Sequence, residues 1–275
     1  MKTKDSILNT LKMETIDNLK SDNSPLIIFL GGQPGCGKTS LISSVKSEYP
    51  NKEFCIIDAD NYRQFHPDFE NLKKHSTTAV IQTSKFANEL ELNLLTYALT
   101  QKKNIIHVST LRATEIMLDF IHNYAIPSGY KVGICAMSVP FLESALSCEE
   151  RYEIQISEGN DIPRFTSFDF MKSADDGFLN TIQILENDNN IDFIKIYRRC
   201  KFSHPERIYN STDINNNYSN ALNAINSNRT LQQEHISFND VQKRLQILYA
   251  LKKNRNADLI EFESLSKISN LLKIH

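Results

Sequence analysis

The chain has 275 residues, long enough to bury a large α/β core without disulfide or metal staples. Its 31 Lys and Arg against 33 Asp and Glu leave a formal net charge of -2, which excludes the one-signed field that holds nucleic acid or an anionic membrane. Five scattered cysteines without a CxxC pair argue against zinc, no apolar stretch reaches the roughly 20 residues of a membrane span, and MKTKDSILNT lacks a signal-peptide core, so a reduced cytoplasmic protein is expected.

Taken in order, residues 5–20 carry Ile7, Leu8, Leu11, Ile16 and Leu19 at helical spacing before the polar break SDNSP at 21–25. Five compact apolar runs follow: LIIFL (26–30), FCIID (54–58), NIIHV (104–108), KVGICAM (131–137) and DFIKIY (192–197). Most are continuous rather than alternating, the pattern of strands covered on both faces of a parallel sheet. Between them helices are predicted over 38–48, over 83–101 with Phe86, Leu90, Leu94 and Tyr97 on one stripe, and over 113–124 with Ile116, Phe120 and Ile121. Strand alternating with helix predicts an α/β fold, a mostly parallel sheet flanked by helices.

After about residue 200 the composition changes. YNSTDINNNYSNALNAINSNR (209–229) is rich in Asn and Ser, which favour turns, and reads as a boundary or long surface connection. Beyond it Phe238, Val241, Leu245, Leu248 and Leu251 recur at helical spacing, and LIEFESLSKISNLLKI offers a last amphipathic helix. The expected organisation is an N-terminal helix (1–23), a catalytic domain (24–202) and an Asn-rich connection with a helical C-terminal appendage (203–275).

The segment between the first strand and the first intervening helix is the most informative. Gly32, Gln33, Pro34, Gly35, Cys36, Gly37, Lys38 and Thr39, followed by Ser40, fit G-x-x-x-x-G-K-[ST] between a predicted strand and helix. Such glycines let backbone N–H groups curl around phosphate oxygens, and the helix points its positive end at them. Lys38 is expected to reach the β- and γ-phosphates of a nucleoside triphosphate, ATP or GTP, and the Thr39 hydroxyl to ligate Mg²⁺. The loop leaves open whether the γ-phosphate goes to water or to a hydroxyl. The NKxD run of a usual GTPase is missing, since the only Asn-Lys pair, Asn51-Lys52, runs on as NKEF.

The second strand ends in Asp58 and Asp60, two carboxylates on one side if the strand continues. An Asp there can accept the proton of an attacking hydroxyl or merely cap a turn. DADNYRQFHPDF (58–69) and GGQPGCGKT (31–39) both resemble the zeta toxin family of P-loop kinases. The resemblance implies transfer of phosphate to the amino-sugar hydroxyl of UDP-N-acetylglucosamine with Asp60 as base, and Arg63 and His66-Pro67 match the same motif. STLRAT (109–114) resembles the family's Glu-Gly-Thr-Leu-Arg-like segment at Thr110, Leu111 and Arg112, while Val108 stands at the acidic position and Ser109 at the Gly. Arg63, Thr110 and Arg112 are accordingly expected at the substrate. His107, one place before Val108, is expected on the opposite face of the strand.

EERYE (149–153) and IPRFTS (162–167) put Arg151 and Arg164 on either side of the polar loop ISEGND, and both match lid arginines of the family, whose guanidinium groups would neutralise charge on the transferring phosphoryl group. Glu89 and Glu91 on the helix over 83–101 are both candidates for an acidic residue that the family carries there. The similarity spans roughly 24–200 with four motifs in order. It implies a toxin that depletes a cell-wall precursor and is restrained by a small helical antitoxin; the N-terminal helix and the tail are alternative restraints in cis.

Overall fold

Each of the five apolar runs is a strand in the computed structural model, which describes residues 3–73, 76–160, 163–200 and 204–273. The chain starts with α1 (Lys4–Lys12), which runs on into a π-turn (Met13–Asp17), then forms β1 (Leu26–Gly31), α2 (Lys38–Glu48) and β2 (Phe54–Asp58). A 3₁₀ turn (Ala59–Phe65), the single-turn α3 (Phe69–Leu72) and the long α4 (Ser76–Thr100) lead to β3 (Asn104–Val108). Next come α5 (Thr114–Phe120), β4 (Lys131–Ser138), α6 (Phe141–Ser157), α7 (Phe168–Leu185), β5 (Phe193–Arg198) and β6 (Glu206–Asn210). The chain closes with α8 (Ala221–Glu234), α9 (Phe238–Asn254) and α10 (Leu259–Asn270).

The strand order is β2-β3-β1-β4-β5-β6, with the first five strands parallel and β6 antiparallel to β5. The fold class is therefore the one expected, a mostly parallel sheet flanked by helices. Apolar residues fill both faces because both are covered. Ile27 and Phe29 of β1 face a core shared with α1, α4, α5, α7 and α8, whereas Ile28 and Leu30 face α2 through Leu41 and Val45. The polypeptide leaves β1 for the far edge strand β2 and returns to β3 and β4 on either side. This puts the phosphate loop at a crevice outside the carboxyl ends of the strands, where α/β sheets bind ligands.

The C-terminal third differs from expectation. The proposed break at 202/203 lies outside the described residues, and the chain beyond it is not an appendage at first: β6 extends the sheet, and Ala221, Ala224 and Ile225 of α8 sit in its main core. Its Asn residues are structural. Asn220 caps α8 by accepting from Asn223 N at 2.7 Å, and buried Asn228 donates to Ser138 Oγ at 2.9 Å. The helical addition starts at α9, which with α10 packs Val241, Leu245, Leu248, Leu265 and Ile268 against Leu142, Leu146 and Met171 of α6 and α7.

The N-terminal helix lies along α4, burying Ile7 and Leu11 and pairing Lys4 with Glu89. The N-terminal helix thus packs on α4, and the α9–α10 pair on α6 and α7.

Candidate active site

The phosphate loop is shaped by three positive-φ glycines, of which Gly35 is the most constrained. A Cβ there would stand 2.0 Å from the Ser144 carbonyl oxygen and 2.9 Å from Cys148 Sγ, so the loop lies directly against α6. The Lys38 ammonium crosses the loop, donating to Gly32 O at 2.9 Å and Gln33 O at 3.3 Å. Thr39 and Ser40 stand exposed on the first turn of α2, and Cys36 is buried. Gln33 serves from behind: its side chain is fully buried, donates to Val139 O at 2.6 Å and accepts from Arg229 at 2.9 Å. Arg229 is held in turn by Asp175 at 2.6 Å, which ties α7 and α8 to the back of the loop.

At the tip of β2, Asp58 caps the 3₁₀ turn, accepting from Asp60 N at 3.0 Å. That turn swings the Asp60 carboxylate between two arginines: Arg63 Nε donates to one oxygen at 2.8 Å and Arg164 Nη1 to the other at 2.9 Å. Burial alone would push the Asp60 carboxyl up, but the charges and hydrogen bonds of Arg63 and Arg164 outweigh it and hold the group below its ordinary range. Asp58 goes the other way, raised by burial and then by the charge of Asp60.

Arg63 also donates through Nη1 to Val80 O, Thr83 Oγ1 and Ser84 Oγ of α4, at 2.7 to 3.1 Å. Arg63, expected at the substrate, thus braces Asp60 against α4.

Arg151 and Arg164 come together at this point: Arg164 reaches Asp60, while Arg151 on α6 lies close enough to both to feel their charge, beside the buried thiols of Cys36 and Cys148. Burial, and then Arg164, lower the Arg151 pKa from its ordinary value, and its buried Nε has no hydrogen-bond partner among the described residues. A guanidinium remains charged when buried, so this is a cation with an unspent donor between the phosphate loop and Asp60.

The third-strand motif divides. His107 and Val108 do face opposite sides: His107 Nε2 lies 3.1 Å from Glu91 Oε1 with its ring edge-on to Phe29, and Val108 is buried on the α2 side. Glu91 also accepts from Ala59 N at 3.2 Å, whereas Glu89 pairs with Lys4 at the surface. Of the two candidate glutamates, Glu91 is therefore the one that supports the tip of β2. Thr110 is half-buried beyond β3, and Leu111, at φ 52°, fills the space that a Cβ on Gly31 would occupy. Arg112 stacks over the Phe170 ring of α7 at 4.7 Å.

Besides Arg229, a second residue without a sequence-derived role meets the loop. Arg199, just after β5, donates to Gly35 O and to Ser147 Oγ at 3.0 Å. The basic pair Arg198-Arg199 at the end of a predicted strand is the signal that marks it.

The pattern of the family described as zeta toxin matches residues 10–214. The chain belongs to the zeta toxin family. Toxin zeta of Streptococcus pyogenes is 27% identical over 265 residues, covering 94% of this chain and 88% of that protein. Toxin zeta of Enterococcus hirae is 25% identical, covering 92% and 86%, and Toxin PezT of Streptococcus pneumoniae is 26% identical, covering 71% and 78%.

Among solved structures, that of the PezAT chromosomal toxin-antitoxin system of Streptococcus pneumoniae superposes with a TM-score of 0.72 at 22% identity, over 90% of this chain and 96% of that one. A complex of AvrRxo1-ORF1 and AvrRxo1-ORF2 with ATP gives 0.53 at 13% identity, over 75% and 65%. These likenesses establish the zeta toxin fold, a mostly parallel P-loop NTPase-like sheet flanked by helices. No helix among the described residues is long and apolar enough to cross a membrane.

Proposed function

We propose that this zeta toxin-family protein is a phosphotransferase that moves the γ-phosphate of ATP or GTP to a hydroxyl of a nucleotide sugar, with UDP-N-acetylglucosamine the first candidate. The observation that carries the reading is the meeting of a phosphate loop with a carboxylate, Asp60, held between Arg63 and the lid residue Arg164. A loop that only bound nucleotide would not require a carboxylate and two converging lid arginines in the same crevice.

In this reading Lys38 and the loop N–H groups hold the β- and γ-phosphates. Asp60 receives the proton of the attacking hydroxyl, and Arg151 and Arg164 neutralise charge as it spreads over the phosphoryl oxygens. Mg²⁺ would neutralise charge on the nucleotide phosphates. Among the described residues no group of three or more His, Cys, Asp or Glu side chains could hold a metal, which fits an ion bound by the phosphates and the Thr39 hydroxyl. A separate antitoxin is the expected partner, in line with the toxin-antitoxin assemblies of related structures.

A second reading keeps the enzyme class and changes the acceptor to another nucleotide or a dinucleotide. Val108 favours it: a buried valine cannot accept the hydrogen bonds of the glutamate expected at that position, which leaves sugar donors unpaired. The deciding experiment is transfer from γ-labelled ATP to UDP-N-acetylglucosamine, beside other nucleotide sugars and dinucleotides, with Asp60→Ala as control. Labelled UDP-N-acetylglucosamine that disappears in the mutant supports the first reading. Label on another acceptor supports the second, and ATP binding with no transfer to any acceptor overturns both.

A further inference from the structure

We infer that Arg199 is a positioning residue of the phosphate loop, setting the direction of the Cys36 N–H group and so the affinity for the donor nucleotide. The inference rests on the nucleotide-binding half of the proposed function and deepens it; it does not depend on the acceptor.

Arg199 leaves the end of β5 with its carbonyl held by Gln232 Nε2 at 3.5 Å, and its side chain crosses to the loop. Nη2 donates to Gly35 O while Nη1 donates to Ser147 Oγ at 3.0 Å and lies 3.6 Å from Glu143 Oε1. A Cβ on Gly37 would be 3.6 Å from both Nε and Nη2, so the guanidinium lies against two of the three loop glycines.

The peptide joining Gly35 to Cys36 is trans and planar, so its C=O and N–H point in opposite directions. Arg199 takes the carbonyl on the outside of the loop, and the Cys36 N–H therefore faces inward. There it donates to Gln33 O at 3.3 Å, on the same inner side that Lys38 Nζ reaches. An inward N–H at this point is the donor that a phosphate oxygen requires. Positive φ at Gly35 and Gly37 leaves the loop free to adopt other peptide orientations, and a charge-assisted hydrogen bond to one carbonyl selects among them.

Arg199 is itself held from the far side. Glu143, beside it, pairs with Arg244 at 2.6 Å, and Arg244 makes a two-point contact with Glu150 at 2.6 and 2.9 Å. A chain of alternating charges thus joins the phosphate loop to α6 and α9.

The test is calorimetric titration of ATP with Mg²⁺ into wild type, Arg199→Ala and Arg199→Lys, with thermal melts of each and with added ethylguanidine. Loss of the charge-assisted bond to Gly35 O predicts roughly 10- to 100-fold weaker ATP binding by folded Arg199→Ala. Arg199→Lys should lose less, though more than about threefold, keeping charge but not the fork that spans Gly35 and Ser147. Ethylguanidine, which matches the atoms removed in the Ala variant, should restore part of its affinity, which a purely structural role would not allow. ATP binding by either folded variant within about threefold of wild type overturns the inference, as does an affinity loss in the Ala variant that ethylguanidine leaves unchanged. If the Ala variant does not fold, the Lys variant decides by the same threshold. Because the readout is ATP binding, absence of transfer to any acceptor would sink the proposed function and leave this inference standing.

Discussion

Asp58 and Asp60 stand two residues apart and titrate in opposite directions, one raised by burial and its neighbour's charge, the other lowered by two arginines. Asp60 is thus ionised and ready to accept a proton, but Arg164 weakens it as a base while the two are paired. Replacing Arg164 by Ala removes a lowering influence, so the Asp60 pKa rises and the acid limb of the kcat/KM profile moves to higher pH. Transfer at the optimum should fall on the order of 10³-fold, as for other arginines that stabilise phosphoryl transfer. A pH–rate profile of the variant checks both, and an unmoved acid limb would remove Asp60 from the role of base. At the loop, Gly35→Ala must accept a left-handed backbone and a Cβ 2.0 Å from Ser144 O. We expect ATP binding to be lost and stability to fall by at least about 1–3 kcal/mol, measurable by titration and urea melts. The glycines follow from the loop pattern, whereas Asp60 at a strand end could equally be a turn cap and was marked only by the family resemblance. That Arg63 braces Asp60 against α4 could not be read, because the partners Val80, Thr83 and Ser84 come from another helix.

Helix α6 carries Arg151 between two buried glutamates, Glu149 and Glu153, both of which pair with Lys252 of α9 at 3.0 and 2.9 Å. Lys252 is 0% exposed and also meets Glu261 of α10 at 3.2 Å, while Arg255 binds Glu153 and Glu261 from the rim. Burial pushes Glu149 up, Lys252 notwithstanding, whereas for Glu153 burial is outweighed by Arg255 and Lys252 and the group is lowered. Lys252→Met leaves three buried carboxylates short of a cation and should cost about 3–5 kcal/mol at pH 7. Without Lys252, which lowers both, Glu149 and Glu153 take protons at higher pH in the folded state. The deficit against wild type should therefore shrink as pH falls toward about 4, where the unfolded carboxylates also bind protons. Urea melts at the two pH values test this; an equal deficit at both would mean that packing rather than charge sets the cost. The helical spacing of α9 was plain in Val241, Leu245 and Leu248, but that its lysine points into a glutamate cluster was not, since Lys is ordinarily a surface residue.

For the whole molecule, the tail is joined through ion pairs and packing to α6, the helix that carries Arg151. Ending the chain at Ile236 would uncover Leu142, Leu146 and Met171 and leave Glu149 and Glu153 without Lys252. We expect an insoluble or poorly melting protein, assayed by expression and thermal denaturation. A folded and more active truncation would instead support the idea of a restraint in cis.

The sequence by itself determined the five parallel strands, the phosphate loop and the order of its motifs, because these depend on local pattern: continuous apolar runs, glycines at fixed intervals, a carboxylate at a strand end. It also held, unnoticed, the i, i+3, i+4, i+7 spacing of Ala221, Ala224, Ile225 and Asn228 beneath an Asn-rich composition that suggested a linker. Only the tertiary structure decided that Glu91 rather than Glu89 supports Asp60's turn, that Arg112 stacks on Phe170, and that Arg199 grips the phosphate loop. Each of those depends on which distant element a long side chain reaches. Chain order does not encode that, and close packing around the sheet does.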